Sequence, residues 1–250
     1  MPEPQPPPPR PPTVILFSAG LDSAVLLAEA LLQGPVLPVY VSVGFAWEPA
    51  EQEAAEALLR QPLFVGKAGS LARLHVPIED VYPPSHWAVR GTPPAYDTPD
   101  ADVYLLGRNL VLLVKAGIYG ARQGATRILL GPLAGNPFPD ARPSFFEAMG
   151  QALSLGLDQR LTVEAPLSDR HKAAVIHRAI ELGVPLELTL SCMAPVAAQP
   201  HALGAAGVGA RRPLHCGACS KCRERQQAFD AAVLPDPKAY ALRASPPSTG

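Results

Sequence analysis

The stretch Thr13-Val-Ile-Leu-Phe17-Ser18-Ala19-Gly20-Leu21-Asp22-Ser23 decides the fold. Its first five residues are β-branched or apolar and read as a short buried strand. Ser18 to Ser23 turns the chain on small and polar residues, and Ala24–Leu32 is rich in helix formers until Gly34-Pro35 closes the helix. A strand that passes through a tight turn straight into a helix is the opening of a βαβ unit. At such a helix start the first backbone N–H groups lack partners and the positive end of the dipole is exposed, so the turn suits an anion. Gly20 lets the backbone approach a phosphate, Ser18 and Ser23 offer hydroxyls, and Asp22 needs a magnesium ion or helix N–H groups beside it. The turn lacks the lysine of GxxxxGK[ST]. Taken alone, it also fits a plain strand–helix turn with Asp22 or Ser23 as the N-cap.

Downstream the alternation continues. Val36–Val43 reads as a second strand and Glu48–Arg60 as a helix, with Glu51, Glu53 and Glu56 outside and Ala50, Ala54 and Leu58 inside. Leu74–Val76 fits a third strand. Pro77–Asp102 holds six prolines and no period, which marks an irregular excursion. Then come a helix at Asn109–Ala121, a strand at Arg127–Leu130, a helix at Phe145–Leu155 and a strand at Leu161–Ala165. Arg170–Leu182 is a helix capped by Ser168 and stopped by Gly183, and Pro185–Thr189 is a final strand. Strands alternating with helices of this length imply right-handed crossovers and a parallel, doubly wound sheet covered on both faces. Ligands of such sheets sit at the carboxyl ends of the strands.

Composition bounds the rest. The chain has 250 residues, 31 of them proline, about 12% against roughly 5% in average usage. Eight of the first twelve residues are proline, and the end from Ser245 is rich in proline and serine, so the excess marks loose tails. The organisation expected is a tail over 1–12, an α/β domain over 13–190, a cysteine-bearing segment over 191–243 and a tail over 244–250. The 48% hydrophobic content suits a packed core, and a net charge of -1 argues against a nucleic-acid partner. Asp22 and Glu29 interrupt the most apolar stretch, so it is a poor membrane span, and with no basic start or apolar run of a signal peptide the expected location is the cytoplasm.

Four cysteines in such a chain point to metal rather than disulfides. Cys216, Cys219 and Cys222 stand three apart on a glycine-containing turn, and Cys192 lies upstream. Four thiolates suit structural zinc, with an iron–sulfur cluster as the alternative and His215 as a substitute ligand. A closed site of this kind ties the C-terminal segment to the domain.

With these pieces in order, the chain resembles a family. The turn is similar to the pyrophosphate loop of the N-type ATP pyrophosphatases, commonly Ser-Gly-Gly-x-Asp-Ser. Ala19 replaces its first glycine and is strained there if that backbone is left-handed. Gly107-Arg108-Asn109, Ala165-Pro166-Leu167 with Lys172, and Leu188-Thr189-Leu190-Ser191-Cys192 follow. His215-Cys216-Gly217-Ala-Cys219-Ser-Lys-Cys222-Arg223, Gln227-Ala228-Phe229, Asp236-Pro237 and Tyr240 complete the set. Together they resemble the 7-cyano-7-deazaguanine synthase family over Val14 to Tyr240.

The resemblance implies an adenine nucleotide alpha hydrolase-like fold and a ligase. Such an enzyme uses ATP and Mg²⁺ to turn 7-carboxy-7-deazaguanine and ammonia into the nitrile, through an adenylated carboxylate, an amide and a second activation, in queuosine-type biosynthesis. It implies nucleotide contacts from Phe17, Ser18, Ala19, Gly20, Leu21, Asp22, Ser23 and Arg108, catalytic roles for Asp22, Ser23 and Lys172, and Zn²⁺ on Cys192, Cys216, Cys219 and Cys222. Relatives commonly form homodimers. Phe138-Pro-Asp140-Ala-Arg142-Pro143-Ser-Phe145 looks like the family's Tyr-Pro-Asp-Cys-Arg-Pro-Glu-Phe, which makes Asp140 and Arg142 candidate substrate contacts; read plainly, they are an Asp–Arg pair pinning the loop. The preceding Gly131–Asn136 is shorter than the family form and lacks its usual Asp and Tyr. That departure motivates an alternative, a paralogous pyrophosphatase adenylating another base or a protein terminus, as in a defence operon. A third reading, a zinc-stabilised nucleic-acid module contacting phosphates through Lys221, Arg223 and Arg225, lacks interleaved aromatics.

Overall fold

The computed structural model describes residues 10–197 and 213–242. The tail expected over 1–12 is described only from residue 10, and the tail expected over 244–250 and residues 198–212, between Cys192 and Cys216, lie outside the described residues.

Five strands form one parallel sheet: β1 (Thr13–Leu16), β2 (Val36–Ser42), β3 (Ala72–His75), β4 (Arg127–Leu129) and β5 (Thr162–Glu164), in the order β3-β2-β1-β4-β5. Thr13 of β1 stands opposite both Val36 and Arg127, so β1 is the centre of the sheet. Val14 and Ile15 are fully buried there, as a strand covered on both faces requires.

The helices are α1 (Leu21–Leu31), α2 (Glu48–Leu59), a single turn α3 (Trp87–Arg90), α4 (Arg108–Arg122), α5 (Pro143–Leu157), α6 (Lys172–Glu181) and α7 (Ser220–Ala231). Glycine shapes one helix contact: a Cβ on Gly117 of α4 would stand 2.8 Å from a Leu153 methyl of α5, so any larger residue would require the Leu153 side chain to shift. Glu29 of α1 accepts hydrogen bonds from Arg170 and Arg178, both at 2.8 Å, which fastens α6 to α1. The excursion over Pro77–Asp102 is irregular as expected, apart from α3 and two short 3-10 turns.

Three details differ from the sequence reading. The last strand does not form: Leu186–Leu188 is a 3-10 turn. Pro185 brings no N–H to a ladder, and the Leu186 carbonyl is taken by Thr189 Oγ1 at 2.7 Å and Arg225 Nη2 at 3.1 Å. Ser168 does not cap α6; His171 stands at that position and its side chain makes no capping bond. Finally, α1 begins at Leu21 with Gly20 as its N-cap, so neither Asp22 nor Ser23 caps it, and Ser23 Oγ donates instead to the Gly20 carbonyl at 3.0 Å.

Strand order reverses beside β1, where one connection leaves for β2 and β4 enters on the other side. The crevice above such a switch point is where open parallel sheets bind ligands. A cavity of about 510 Å³ opens there.

Candidate functional site

The turn after β1 forms the floor of this cavity. Phe17, Ser18, Gly20, Leu21, Asp22 and Ser23 line it, while Ala19 is fully buried behind them. Ala19 has φ 61, the left-handed backbone that disfavours alanine. Its carbonyl accepts from Leu190 N at 2.8 Å, which locks the turn against the segment leading to Cys192. The first helical bond runs from Ala24 N to Gly20 O, so the N–H groups of Leu21, Asp22 and Ser23 have no helical acceptor. Three free donors at a helix start make an anion cradle.

Lys172, the first residue of α6, reaches this cradle. Its Nζ donates to Asp22 Oδ2 at 3.0 Å and to Glu224 Oε1 at 2.6 Å, and Lys221 Nζ donates to Glu224 Oε2 at 2.6 Å. All four side chains line the cavity. Burial works against the charge on Lys172, but Asp22 and Glu224 outweigh it and raise its pKa. Asp22 Oδ1 is buried and has no partner among the described residues, leaving an oxygen available to a cation.

Arg108 enters from the opposite wall as the first residue of α4, with Nε buried and unpartnered. Its neighbour Asn109 holds Asp140: Asn109 N donates to Asp140 Oδ2 at 3.3 Å and Nδ2 to the Asp140 carbonyl at 2.9 Å. Asp140 is 6% exposed and its Oδ1 lacks a partner. Burial raises its pKa against the pull of the Asn109 N–H and Arg108. Arg142 is not brought in: it is exposed at the start of α5, outside the cavity lining, and makes no ion pair with Asp140.

Several cavity residues are not assigned to the cavity by the sequence reading. Glu51, expected on the outer face of α2, lines the cavity and accepts from the Tyr40 hydroxyl at 2.7 Å. Burial raises its pKa to about 7 despite Arg108 and the Tyr40 hydrogen bond, with Glu48 adding repulsion. Glu48 is 3% exposed and accepts from Val43 N, Gly44 N and Ser42 Oγ, which fixes the turn after β2. Two aromatic pairs line the walls, Trp47 on Trp87 with centroids 5.6 Å apart and Tyr104 on Phe138 at 5.1 Å. Position i to i+3 spacing within α2 and α7 was the one available hint for Glu48 with Glu51 and for Lys221 with Glu224.

The four cysteines converge beside the cavity. Their sulfurs lie within 4.8 Å of one another, with Cys192–Cys219, Cys216–Cys222 and Cys219–Cys222 at 4.0, 3.8 and 3.5 Å. Backbone N–H groups of Ala194, Cys216, Gly217 and Ala218 donate to the sulfurs, as thiolate ligands require. Gly217 has φ 80, and a Cβ there would run into the Leu242 carbonyl. His215 is not part of the cluster: its Nε2 accepts from Ser191 N at 3.2 Å and its ring packs edge-on against Tyr240. The three basic residues read as phosphate contacts in this segment are each held within the protein. Arg225 is fully buried, Arg223 binds Asp100 and the Tyr96 and Thr98 carbonyls, and Lys221 binds Glu224. Among the described residues no helix is long and apolar enough to cross a membrane.

Known proteins match nearly the whole chain. A protein from Methanopyrus kandleri named 7-cyano-7-deazaguanine synthase is 29% identical over 250 residues, covering 91% of this chain and 98% of its own. Proteins of the same name from Aromatoleum aromaticum and Nostoc punctiforme are 32% and 30% identical, each over 91% of this chain and over 96% and 99% of their own. The pattern of the family described as queuosine biosynthesis protein QueC fits residues 12–233, from the threshold of β1 to just past α7. Every element that builds the cavity falls inside that span, and the chain belongs to the QueC family.

Proposed function

We propose that the protein is an ATP-dependent ligase that converts 7-carboxy-7-deazaguanine and ammonia to 7-cyano-7-deazaguanine through an adenylated intermediate. The observation that carries this reading is the cradle of free N–H groups at Leu21, Asp22 and Ser23 with Lys172 beside it, at the switch point of the sheet.

A carboxylate is a poor electrophile. Transfer of AMP to its oxygen supplies a good leaving group, ammonia displaces it to give the amide, and a second activation of the amide oxygen lets AMP leave as the nitrile forms. The chain's part is placement and charge. Ser18, Ser23 and the free N–H groups receive the departing pyrophosphate, and Lys172 and Arg108 bring positive charge to the phosphates, all preorganised before reaction. The unpartnered Asp22 Oδ1 fits a divalent cation, and Asp22 would hold a magnesium ion whose charge would help to stabilise the pyrophosphate. Two flat ring systems must be held, adenine and deazaguanine, and two aromatic pairs line the cavity. The buried acceptor of Asp140 suits the N–H edge of a guanine-like base.

Zinc fits the cysteine cluster. Tetrahedral bonds of ~2.3 Å to sulfur set S–S separations of ~3.8 Å, and three sulfur pairs stand at 3.5 to 4.0 Å with all four within 4.8 Å. There it would join Cys192 to the turn and helix start at Cys216–Cys222.

The test incubates the protein with ATP, Mg²⁺, ammonium and 7-carboxy-7-deazaguanine, and follows AMP and the nitrile by mass spectrometry. AMP release that depends on this acid is the expected result. Turnover with a different base or a protein terminus, and none with the acid, would replace this reading with the paralogous one. Asp22→Ala and Ser23→Ala should each abolish AMP formation while metal content stays at about one per chain.

A further inference from the structure

Two systems meet within a single helix turn. Cys219 stands at the N-cap of α7 and Cys222 lies in its first turn, while Lys221 and Glu224 of the same stretch reach into the cavity. The start of α7 has no side-chain cap. Its first turn makes the usual helical backbone bonds, Cys222 N and Arg223 N to the Cys219 carbonyl at 3.0 and 3.1 Å. What ties it to the cysteine cluster is that Cys219 and Cys222 are themselves cluster members, their sulfurs 3.5 Å apart, with Gly217 N donating to Cys222 Sγ at 3.4 Å. The cluster therefore does more than fasten a tail, because it sets where Glu224 stands.

Glu224 is chemically out of place in a phosphate site unless it acts on something else. Both of its oxygens are taken by lysines, Lys172 at 2.6 Å and Lys221 at 2.6 Å, so it is no free ligand for a cation. A lysine stem is long and flexible, and its ammonium carries three donors. With Asp22 alone, Lys172 would close on that carboxylate as a simple pair. Glu224 pulls from the other side, so Lys172 is suspended between α1 and α7 with a third donor left over. The series Asp22, Lys172, Glu224, Lys221 alternates in sign, so holding the lysine adds no net charge against the phosphates.

We infer that Glu224 is a positioning residue of the reaction, holding Lys172 in register with the turn at Ser18–Ser23, and that metal bound by the cysteines holds Glu224. The cysteine site is then a structural part of the catalytic wall. This inference rests on the ligase reading for its rate effect, and on geometry alone for its effect on the turn.

Glu224→Gln keeps the shape and removes the charge, and is compared with wild type by hydrogen exchange, metal analysis and steady-state AMP release. Metal content should stay at about one per chain. Exchange in peptides covering Phe17–Ser23 should rise about tenfold, with α4 and α5 unchanged. The value of kcat should fall about 10- to 100-fold, with KM for 7-carboxy-7-deazaguanine inside about twofold. Wild type stripped of metal by a chelator should show the same local rise in exchange. The inference is overturned by unchanged exchange in the turn, by loss of metal in the variant, or by exchange that rises throughout the sheet. A wild type that releases no AMP from the acid sinks the function alone, and the exchange comparison still decides the positioning role.

Discussion

Glu224 and Arg225 are consecutive residues of α7 and do opposite work. Arg225 is fully buried: its guanidinium grips Asp236 with two bonds at 2.8 and 2.9 Å, donates to Thr189 Oγ1 at 2.7 Å and lies 5.1 Å over the Phe229 ring. Asp236 is further held by the Tyr240 hydroxyl. Glu224 faces the cavity and links two lysines in a series of ion pairs open to it. Arg225 thus closes a network that fastens the segment after Cys192 to the 3-10 turn at Leu186–Leu188, and Glu224 belongs to one that leaves donors free. The difference lies in satisfaction. A fully satisfied buried cation specifies a fold, and a partly satisfied cavity-facing one awaits a ligand.

The sharpest way to break this contrast is to remove one cation from each network. Arg225→Ala leaves Asp236 buried beside an empty slot and should cost about 3–5 kcal/mol, read as a lower urea midpoint. A loss below about 1 kcal/mol would place Arg225 among ordinary surface arginines. Lys172→Met should do the reverse, with AMP formation down about 100- to 1000-fold and a urea midpoint much nearer wild type than that of Arg225→Ala. Equal destabilisation in the two variants would erase the distinction. Cys219→Ser extends the comparison, since it frees the start of α7 and should lower metal content, solubility and melting temperature together.

How far the sequence discloses these networks depends on whether the signal is local. The alternation of strands and helices and the turn at Ser18–Ser23 are local patterns, and four cysteines have few other uses, so each is legible. Glu51, Lys221 and Glu224 are not, because a polar helix face at the rim of a cavity has the same period as one facing water. Arg225 sits in Lys221-Cys-Arg223-Glu-Arg225, a run that reads as exposed charge, and only the distant Asp236 and Thr189 make it internal. Pro185–Thr189 has strand composition, yet strands exist by pairing, and the Arg225 side chain takes the carbonyl a ladder would use. The aromatic walls come partly from the proline-rich excursion, where no period exists to read.

Glu51 gives a smaller effect with a defined sign. Its carboxyl is raised from an ordinary 4.5 to about 7 in the folded protein, first by burial. The folded state therefore keeps a proton that the unfolded chain releases, so the stability tied to it is whole below about pH 4.5 and lost as pH rises towards 7. Glu51→Gln should remove that slope. The variant should match wild type at low pH and exceed it by about 3 kcal/mol above pH 7 in urea titrations. Parallel pH profiles for the two proteins would mean that Glu51 is ionised throughout, like a solvated surface acid.

The smallest effect belongs to Ala19, and its size is the point. At φ 61 an alanine carries about 1–2 kcal/mol of backbone strain. Ala19→Gly relieves it, but the fully buried methyl is worth about 0.8 kcal/mol, and glycine frees the unfolded chain by about 0.4–1 kcal/mol. The terms nearly cancel, so stability should move by less than about 1 kcal/mol in either direction. The turn is held by its surroundings, through Leu190 N on the Ala19 carbonyl and Ser23 Oγ on the Gly20 carbonyl, and these bonds survive the change. Ala19→Val leaves the same bonds on paper but forces a β-branched residue into the left-handed region, where the strain has no offset. It should abolish AMP formation while Ala19→Gly keeps it within a few-fold. Loss of activity in Ala19→Gly would show that the methyl packed behind the turn, rather than the backbone bonds around it, holds the cradle in shape.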